Sequence, residues 1–365
     1  MQRLSMNEHD SAIGGVSQLV HVIHKHFLWF LVGSYAVAGL FPFVGLWIKD
    51  VSLGHVPLIQ TKMSLPMAML ALLLLNAGLG VEFTQLSRLR HSLVTLSVGV
   101  IANLVVPVAF IFVVAQTMRL WHNPDEVQNI LVGLALVASM PIAGSSTAWS
   151  QNANGNLALS LGLVLLSTAL SPLMTPLGLH SVGLMTTGDY SEDLHELAQS
   201  GTGAFLLVAV VVPSLLGILL HWAVGKEKVA VAKPYLKLVN LAVLLILNYS
   251  NASVSLPQAV QNPDADFLAV TLTITLALCL VAFASGWLVS RTLKVDCSEK
   301  AALVFGLGMN NNGTGLVLAT MALADHPRVM LPIIFYNLVQ HLVAGGVDRV
   351  LSRRRGTSQE GVNTE

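Results

Sequence analysis

Two short polar stretches interrupt otherwise apolar segments of this sequence. Residues 140–147 read Met-Pro-Ile-Ala-Gly-Ser-Ser-Thr, and residues 306–315 read Gly-Leu-Gly-Met-Asn-Asn-Asn-Gly-Thr-Gly. Proline removes a backbone donor and glycine weakens a helix by about 1 kcal/mol, so both stretches are predicted to unwind. Unwound backbone at membrane depth is tolerated only where protein or a watery cavity surrounds it, and there it forms sites for ions and anionic groups. We therefore expect the two stretches to form a solute-binding site.

The side chains expected to contact the solute are amides and hydroxyls in or beside these stretches. They offer hydrogen bonds without carrying a charge. They are Ser145, Asn311, Asn312, Thr314 and Asn337. Helix packing alone explains many single prolines, glycines and asparagines in membrane helices. Two polar breaks at equivalent places in two halves of a chain favour the functional interpretation.

Composition places these residues in a lipid bilayer. Of the 365 residues, 54% are apolar and 10% are charged, and the mean hydropathy is +0.70, whereas soluble domains carry about a quarter charged residues. Ten apolar runs are long enough to be predicted as membrane-crossing segments. They cover 27–48, 63–83, 92–117, 127–150, 156–178, 203–223, 235–252, 267–290, 300–324 and 329–350. The sequence thus predicts an all-α membrane protein with ten transmembrane helices, of which helices 4 and 9 are broken.

The positions of lysine and arginine predict the orientation of these helices. With ten spans, 15 of the 19 basic residues lie on the side of the termini, and the other four are Lys49, Lys62, Arg119 and Arg328. Because basic residues concentrate in cytoplasmic loops, both termini are expected in the cytoplasm and the protein in the plasma (inner) membrane.

The spacing of the spans predicts an internal duplication. Starts at 27, 63, 92, 127 and 156 are followed, 172 to 176 residues later, by starts at 203, 235, 267, 300 and 329. Each half has an odd number of helices, so the second half is inverted, as in many secondary transporters. The two five-helix repeats cover 27–178 and 203–350, between tails of residues 1–26 and 351–365.

The distribution of polar residues among the spans predicts two groups of helices, a core and a scaffold. Polar residues concentrate in transmembrane helices 3, 4, 5, 9 and 10, and repeat symmetry adds helix 8, so residues 92–178 and 267–350 are predicted to form a core. Residues 27–83 and 203–252 are mostly aliphatic and are predicted to form a scaffold against which the core slides.

The sequence contains few residues whose types and spacing suggest catalysis or metal binding. It has no carboxylate pair, no paired metal-ligand motif on a helix and no activated nucleophile, so we expect neither an enzyme nor a metal site. The histidines His21, His24 and His26 are more simply explained by lipid headgroups than by a metal. The expected partners are the lipid bilayer and a small organic solute, with no nucleic acid, and the sequence leaves the oligomeric state open.

Several short motifs, in order along the chain, resemble the bile acid/sodium symporter family. They are Ile101-Ala102-Asn103, Gly155-Asn156-Leu157-Ala158-Leu159-Ser160, the run from Ser167 to Pro176, Asn248-Tyr249-Ser250-Asn251-Ala252, Gly308-Met309-Asn310-Asn311 and Tyr336-Asn337-Leu338. The resemblance implies a scaffold of helices 1, 2, 6 and 7 and a core of the other six, in which broken helices 4 and 9 cross. It also implies sodium-driven uptake of an organic anion by alternating access.

The resemblance further implies five cation-binding positions. They are Asn103, Ser146, Thr147, Ser160 and Asn310. Three of them differ from the family residues, because Thr147 replaces an asparagine and Asn103 and Asn310 replace glutamines. Two further positions lose their oxygens, because Gly306 stands where the family has a glutamate shared by two sodium sites and Val164 stands where it has a threonine. Neutral oxygens compensate poorly for the desolvation of a cation. A sodium-independent uniporter, a proton-coupled carrier and a non-transporting solute receptor therefore stay open as alternatives, and no cofactor other than sodium is expected.

Overall fold

The computed structural model describes residues 22–23, 26–56, 61–81, 92–199 and 201–360, without the side chains of 56, 61–62 and 352–360. Most of the predicted N-terminal tail, with His21 and His24, lies outside the described residues, as does most of the loop between transmembrane helices 2 and 3. The same holds for the last five residues of the C-terminal tail.

The described chain is almost entirely helical. In order, its elements are α1 (Phe27–Leu40), α2 (Phe43–Asp50), β1 (Ser52–Val56), β2 (Thr61–Ser64), α3 (Leu65–Leu79), α4 (Leu93–Thr117), α5 (Pro124–Ser139), α6 (Ser145–Asn152), α7 (Leu157–Gly183), α8 (Asp189–Gln199), α9 (Thr202–Leu206), a π-helical turn (Leu207–Val211), α10 (Val212–Val224), α11 (Lys226–Ala252), α12 (Leu256–Gln261), α13 (Ala265–Thr292), α14 (Cys297–Gly308), α15 (Asn312–Ala322) and α16 (Met330–Glu360). Short 3-10 turns, Met118–Leu120 and Pro327–Val329, follow α4 and precede α16. The strands β1 and β2 pair in antiparallel orientation, and neither strand was predicted from the sequence.

Six helical segments in the described residues are long and apolar enough to cross a membrane without help. They are Leu93–Leu120, Leu157–Gly183, Thr202–Val224, Lys226–Ala252, Ala265–Thr292 and Pro327–Leu351. The pair α1 and α2, bent by 92° at Phe41–Pro42, makes a seventh if it is counted as one span. The chain is therefore a helical integral membrane protein. The other predicted spans hold α3 and the interrupted pairs α5/α6 and α14/α15, whose helices are each too short to qualify, so the count of ten stays a prediction.

One compact unit contains the described residues up to Val81 together with Val208–Gln261. Its helices α3 and α10 approach so closely that a Cβ added at Gly217 would overlap the backbone oxygen of Leu75. Polar contacts also lie in this unit, since Tyr35 donates a hydrogen bond to Asn248 with an oxygen-to-oxygen distance of 3.0 Å. Small residues and paired polar groups, and not aliphatic contacts alone, therefore hold these helices together.

The second unit contains the described parts of Glu82–Leu207 and Asn262–Glu365, including both polar stretches. Its central helix α5 begins at Pro124, a favoured residue at the first helical position, and the side chain of Asn123 caps the helix. Every residue of α5 from Asn129 to Ser139 is buried, which is the pattern of a helix surrounded by others. In α14, residues 301–308 are likewise all buried. These two helices carry the polar stretches into the middle of the unit.

Candidate functional site

Each polar stretch contains an unwound segment, which confirms the predicted interruptions, but the unwound segments are only 140–144 and 309–311 and the rest of each stretch is helical. Helix α5 ends at Ser139 and α6 begins at Ser145, and α14 ends at Gly308 while α15 begins at Asn312. Met140 is extended, with φ −78° and ψ 149°, as expected for a residue that precedes a proline.

The two unwound segments pair with each other. Ile142 and Asn310 form an isolated antiparallel β-bridge. The amide of Ala143 donates to the Met309 carbonyl over 2.9 Å, and the amide of Asn311 donates to the Pro141 carbonyl over 2.8 Å. Backbone groups released by the breaks are thereby satisfied within protein, as a bilayer requires. This bridge is the centre of the candidate site.

Antiparallel pairing brings opposite helix ends together. Ala143, which leads into α6, pairs with Met309 at the end of α14, while Pro141, which follows α5, pairs with Asn311 before α15. The positive N-terminal end of each second half-helix therefore lies beside the negative C-terminal end of the other stretch. Such an arrangement offers both donors and acceptors to a guest.

Hydroxyls of α7 hold the first unwound segment. Ser167 Oγ accepts the Ile142 amide hydrogen over 3.0 Å. Thr175 Oγ1 donates to the Ser139 carbonyl over 2.6 Å. Neither Ser167 nor Thr175 was among the predicted site residues. Their spacing of eight residues, with Ser171 between them, places all three on one helical face, and this spacing was the available signal.

Amides of α16 hold the second unwound segment. Gln340 Oε1 accepts the Asn310 amide hydrogen over 3.1 Å, and Gln340 Nε2 donates to Asn337 Oδ1 over 3.2 Å. Asn310 Nδ2 donates in turn to the Val137 carbonyl over 2.9 Å, which links the segment to α5. Asn337, predicted to contact solute, therefore also supports the bridge through Gln340.

The predicted solute-contacting residues differ in exposure. Ser145 is exposed at the start of α6, and a Cβ built on Gly144 would meet no atom of the described chain within 4 Å, so this helix start is open. Asn311 is half-buried and caps α15 by accepting the Thr314 amide hydrogen over 3.3 Å. The side chains of Asn312 and Thr314 are fully buried, and neither finds a hydrogen-bond partner among the described residues. Buried polar atoms without partners are rare, so their presence at a break is informative.

The five cation-binding positions implied by the resemblance are only partly brought together. Ser160 Oγ donates to Thr147 Oγ1 over 3.2 Å, and the buried Ser146 hydroxyl lies one residue before Thr147 without a partner in the described part of the chain. Asn103 and Asn310 share no hydrogen bond with these three hydroxyls among the residues described.

The place of the family's glutamate is apolar in this chain. A Cβ added at Gly306 would lie 3.0 Å from Leu163 Cδ1. Leu163 belongs to a buried apolar cluster with Leu159, Leu303 and Leu307. A carboxylate at this position would have to displace that packing, so the residues do not reproduce the sodium arrangement that the resemblance implies.

Ion pairs of this unit lie near its helix ends, and Asp348 lies within α16, eight residues after Gln340. His326 Nε2 is 3.4 Å from Asp193 Oδ2, and Arg328 is 3.5 Å from Asp264. Burial raises the pKa of Asp193, although the neighbouring His326 opposes the shift. Across the described residues, no three His, Cys, Asp or Glu side chains gather as metal ligands would. The bridge region is therefore a neutral site built from amides, hydroxyls and helix ends.

A buried pair of broken helices in an apolar helical protein is the architecture of a membrane transporter. A profile of the Sodium Bile acid symporter family matches residues 67–262, which is 196 of the 365 residues, and the chain belongs to that family. This confirms the resemblance seen in the sequence motifs.

Three similar proteins include two that are named as transporters. The chain is 29% identical over 227 residues to the "Uncharacterized protein YbaS" of Bacillus subtilis, covering 61% of this chain and 69% of the relative. It is 24% identical over 292 residues to the "Uncharacterized sodium-dependent transporter YocS" of the same organism, covering 80% and 85%. It is 29% identical over 195 residues to the "Probable sodium/metabolite cotransporter BASS1, chloroplastic" of Oryza sativa, covering 52% and 43%.

Proposed function

We propose that this protein is a secondary active transporter that carries a small organic anion across the plasma (inner) membrane by alternating access. In this proposal ten transmembrane helices form two inverted repeats, and both termini lie in the cytoplasm. Membership of the symporter family supports the transport function, and the relatives named as sodium-dependent or sodium/metabolite transporters support sodium as the coupling ion.

The observation that carries the proposal is the antiparallel bridge between Ile142 and Asn310, deep in the second unit. Beside it, the exposed start of α6 at Ser145 presents a positive helix end, which suits an anion, while the amides of Ser146 and Thr147 donate to carbonyls of the preceding turn. The buried amide of Asn312, without a partner among the described side chains, adds a donor and an acceptor. No charged side chain occurs between residues 127 and 188, so recognition of the anion rests on dipoles and neutral donors.

The two compact units support alternating access. One unit contains the described parts of Met1–Val81 with Val208–Gln261, and the other contains the bridge. We propose that these units act as the scaffold and the core expected from the sequence. We propose that movement of one unit relative to the other exposes the bridge to each side of the membrane in turn.

The test is uptake of labelled organic anions, from sterol conjugates to small carboxylates, into proteoliposomes that contain the full chain. We expect uptake under an inward sodium gradient and about tenfold or greater loss in Asn312→Ala, since a hydrogen bond to a charged group contributes about 1.5–3 kcal/mol. The matched control is Ser255→Ala, which also removes a buried polar group without a partner in the described chain, but in the other unit.

Three outcomes would contradict parts of this proposal. Binding without accumulation would indicate a receptor. Equal uptake in sodium and potassium would indicate a uniporter or a proton-coupled carrier. Wild-type uptake in Asn312→Ala would show that the solute binds elsewhere.

A further inference from the structure

A small cavity lies behind the first break, on the side of α4 and α7. Its volume is about 20 Å³, which is enough for one water-sized guest. It is lined by α4, the end of α5 and α7. The lining residues are Val100, Asn103, Leu104, Ala138, Ser139, Met140, Pro141, Ser167, Ser171 and Met174.

Two of the hydroxyls that line this cavity can offer only lone pairs to a guest. Ser167 Oγ already donates its hydrogen to the Val164 carbonyl over 3.1 Å, and Ser171 Oγ donates to the Thr168 carbonyl over 2.8 Å. Neither hydroxyl hydrogen is left for a guest, so each of these groups can act only as an acceptor there. The amide hydrogen of Ile142 already occupies one lone pair of Ser167 Oγ, so this oxygen has one lone pair left for a guest.

Two further oxygens at the cavity have no partner in the protein as described. These are Asn103 Oδ1 and Ser139 Oγ, both more than nine-tenths buried. A buried polar atom left unpaired costs about 1–3 kcal/mol, so a bound guest that satisfies both atoms is favoured.

The electrostatic setting favours a positive guest. Ser139 is the last residue of α5, so the cavity lies at the negative end of that helix, equivalent to about half an elementary charge. All of its lining residues are uncharged, so no lysine or arginine opposes a cation and no carboxylate offsets the cost of desolvating it. The negative end of α5 therefore has to supplement the neutral oxygens. A water-sized volume also favours a small cation over a larger one.

We propose that this cavity binds one sodium ion through Asn103 Oδ1 and the hydroxyl oxygens of Ser139, Ser167 and Ser171. This inference rests on the proposed sodium coupling and assigns the ion a site that does not depend on a carboxylate at Gly306. It involves neither α6 nor α15, and Asn103 is the one residue that it shares with the positions implied by the resemblance. An ion here connects α4, α5 and α7 directly beside the unwound segment, so its binding fixes the bridge that receives the solute.

The test measures sodium binding without transport. Purified full-length protein in detergent is heated in sodium chloride or in potassium chloride at equal ionic strength, because a ligand that binds only the folded state raises the melting temperature. We expect sodium, but not potassium, to raise it for the wild type. The sodium concentration that gives the half-maximal rise should increase tenfold or more in Ser139→Ala and in Ser171→Ala, and should be unchanged in the control Ser255→Ala.

Ser139→Ala is the decisive variant. It removes a hydroxyl that has no hydrogen-bond partner in the described structure, so the fold itself should be preserved or slightly stabilised. Should Ser171→Ala not fold, Ser139→Ala decides alone. Equal melting of the wild type in sodium and potassium would overturn the proposal, because it would indicate that the cavity holds only water. Wild-type sodium dependence in Ser139→Ala, with loss in Ser146→Ala, would place the ion at α6 and also overturn it.

The outcome is separable from that of the uptake experiment. Uptake that persists while sodium has no effect on melting rejects this cavity site and leaves the carrier. A sodium effect that persists without any uptake rejects the carrier and leaves the site.

Discussion

Gln340 on α16 gives the sharpest test of how the bridge is held. It is buried, its Oε1 accepts the amide hydrogen of Asn310 over 3.1 Å, and its Nε2 donates to Asn337 over 3.2 Å. Gln340→Leu keeps a similar side-chain volume but removes both bonds. The Asn310 amide would then have no acceptor, and because its segment is unwound it has no helical partner to return to.

The magnitude follows from the type of bond that is lost. Side-chain hydrogen bonds between membrane helices contribute about 0.6 kcal/mol on average and about 1.7 at most. An orphaned buried amide costs about 1–3 kcal/mol. Since the orphan here is a backbone amide at the centre of a unit, we expect Gln340→Leu to lower the free energy of unfolding by about 1.5–3 kcal/mol.

The assay is reversible unfolding in mixed micelles, with uptake measured on the same preparations. The control is Ser285→Ala, because Ser285 donates only to the Ala282 carbonyl of its own helix, and its loss leaves no buried group unpaired. The control should change the free energy of unfolding by less than about 0.5 kcal/mol. A loss in Gln340→Leu as small as that of the control would refute the claim that α16 holds the bridge.

Two further predictions concern packing and capping. Gly217→Ala should destabilise the protein by more than about 2 kcal/mol in the same unfolding assay, because the new Cβ would overlap the backbone of Leu75. The control Gly33→Ala has open space around it in α1 and should be neutral or stabilising by up to about 1 kcal/mol. Asp296 caps α14 by accepting the amide hydrogens of residues 298 and 299 over 2.7 and 2.8 Å, and the amide of Glu299 is the main cause of its lowered pKa. The stabilisation from this carboxylate should be present above its unfolded pKa of about 3.9 and be lost as the pH falls through the lower folded pKa. Asp296→Ala should therefore lower the free energy of unfolding by about 1 kcal/mol at neutral pH. In unfolding titrations between pH 2 and 6, the variant should also show a weaker loss of stability with acid than the wild type. An acid-side profile in Asp296→Ala equal to that of the wild type would contradict this assignment.

The helical membrane character and the two breaks could be predicted from sequence because their causes are local. Apolar composition alone requires burial in lipid, and Pro141 sets the backbone of its neighbour whatever surrounds it. Several short motifs, in order along the chain, were together specific enough to indicate the symporter resemblance, which the family match confirms.

Other elements of the fold depended on contacts that no local pattern specifies. The acidic segment from Asp189 to Gln199 is a helix because Leu194 and Leu197 are buried on one of its faces. The 92° bend at Phe41–Pro42 divides an apolar run that reads as one span. Hydropathy depends only on which residues a segment contains. It therefore cannot distinguish a helix from a loop in the first case, or a bent span from a straight one in the second.

By itself, the sequence determined that this chain lies in a membrane, where its helices are interrupted, and that Gly306 removes a carboxylate expected from the family. The tertiary structure alone decided that the interruptions pair with each other, that α7 and α16 hold them, and that leucines occupy the space beside Gly306. The physical reason is the distance along the chain over which each effect acts. Proline and glycine act on the next peptide bond, whereas the partner of an unwound amide is chosen by packing between helices that can be more than 150 residues apart, as Ala143 and Met309 are.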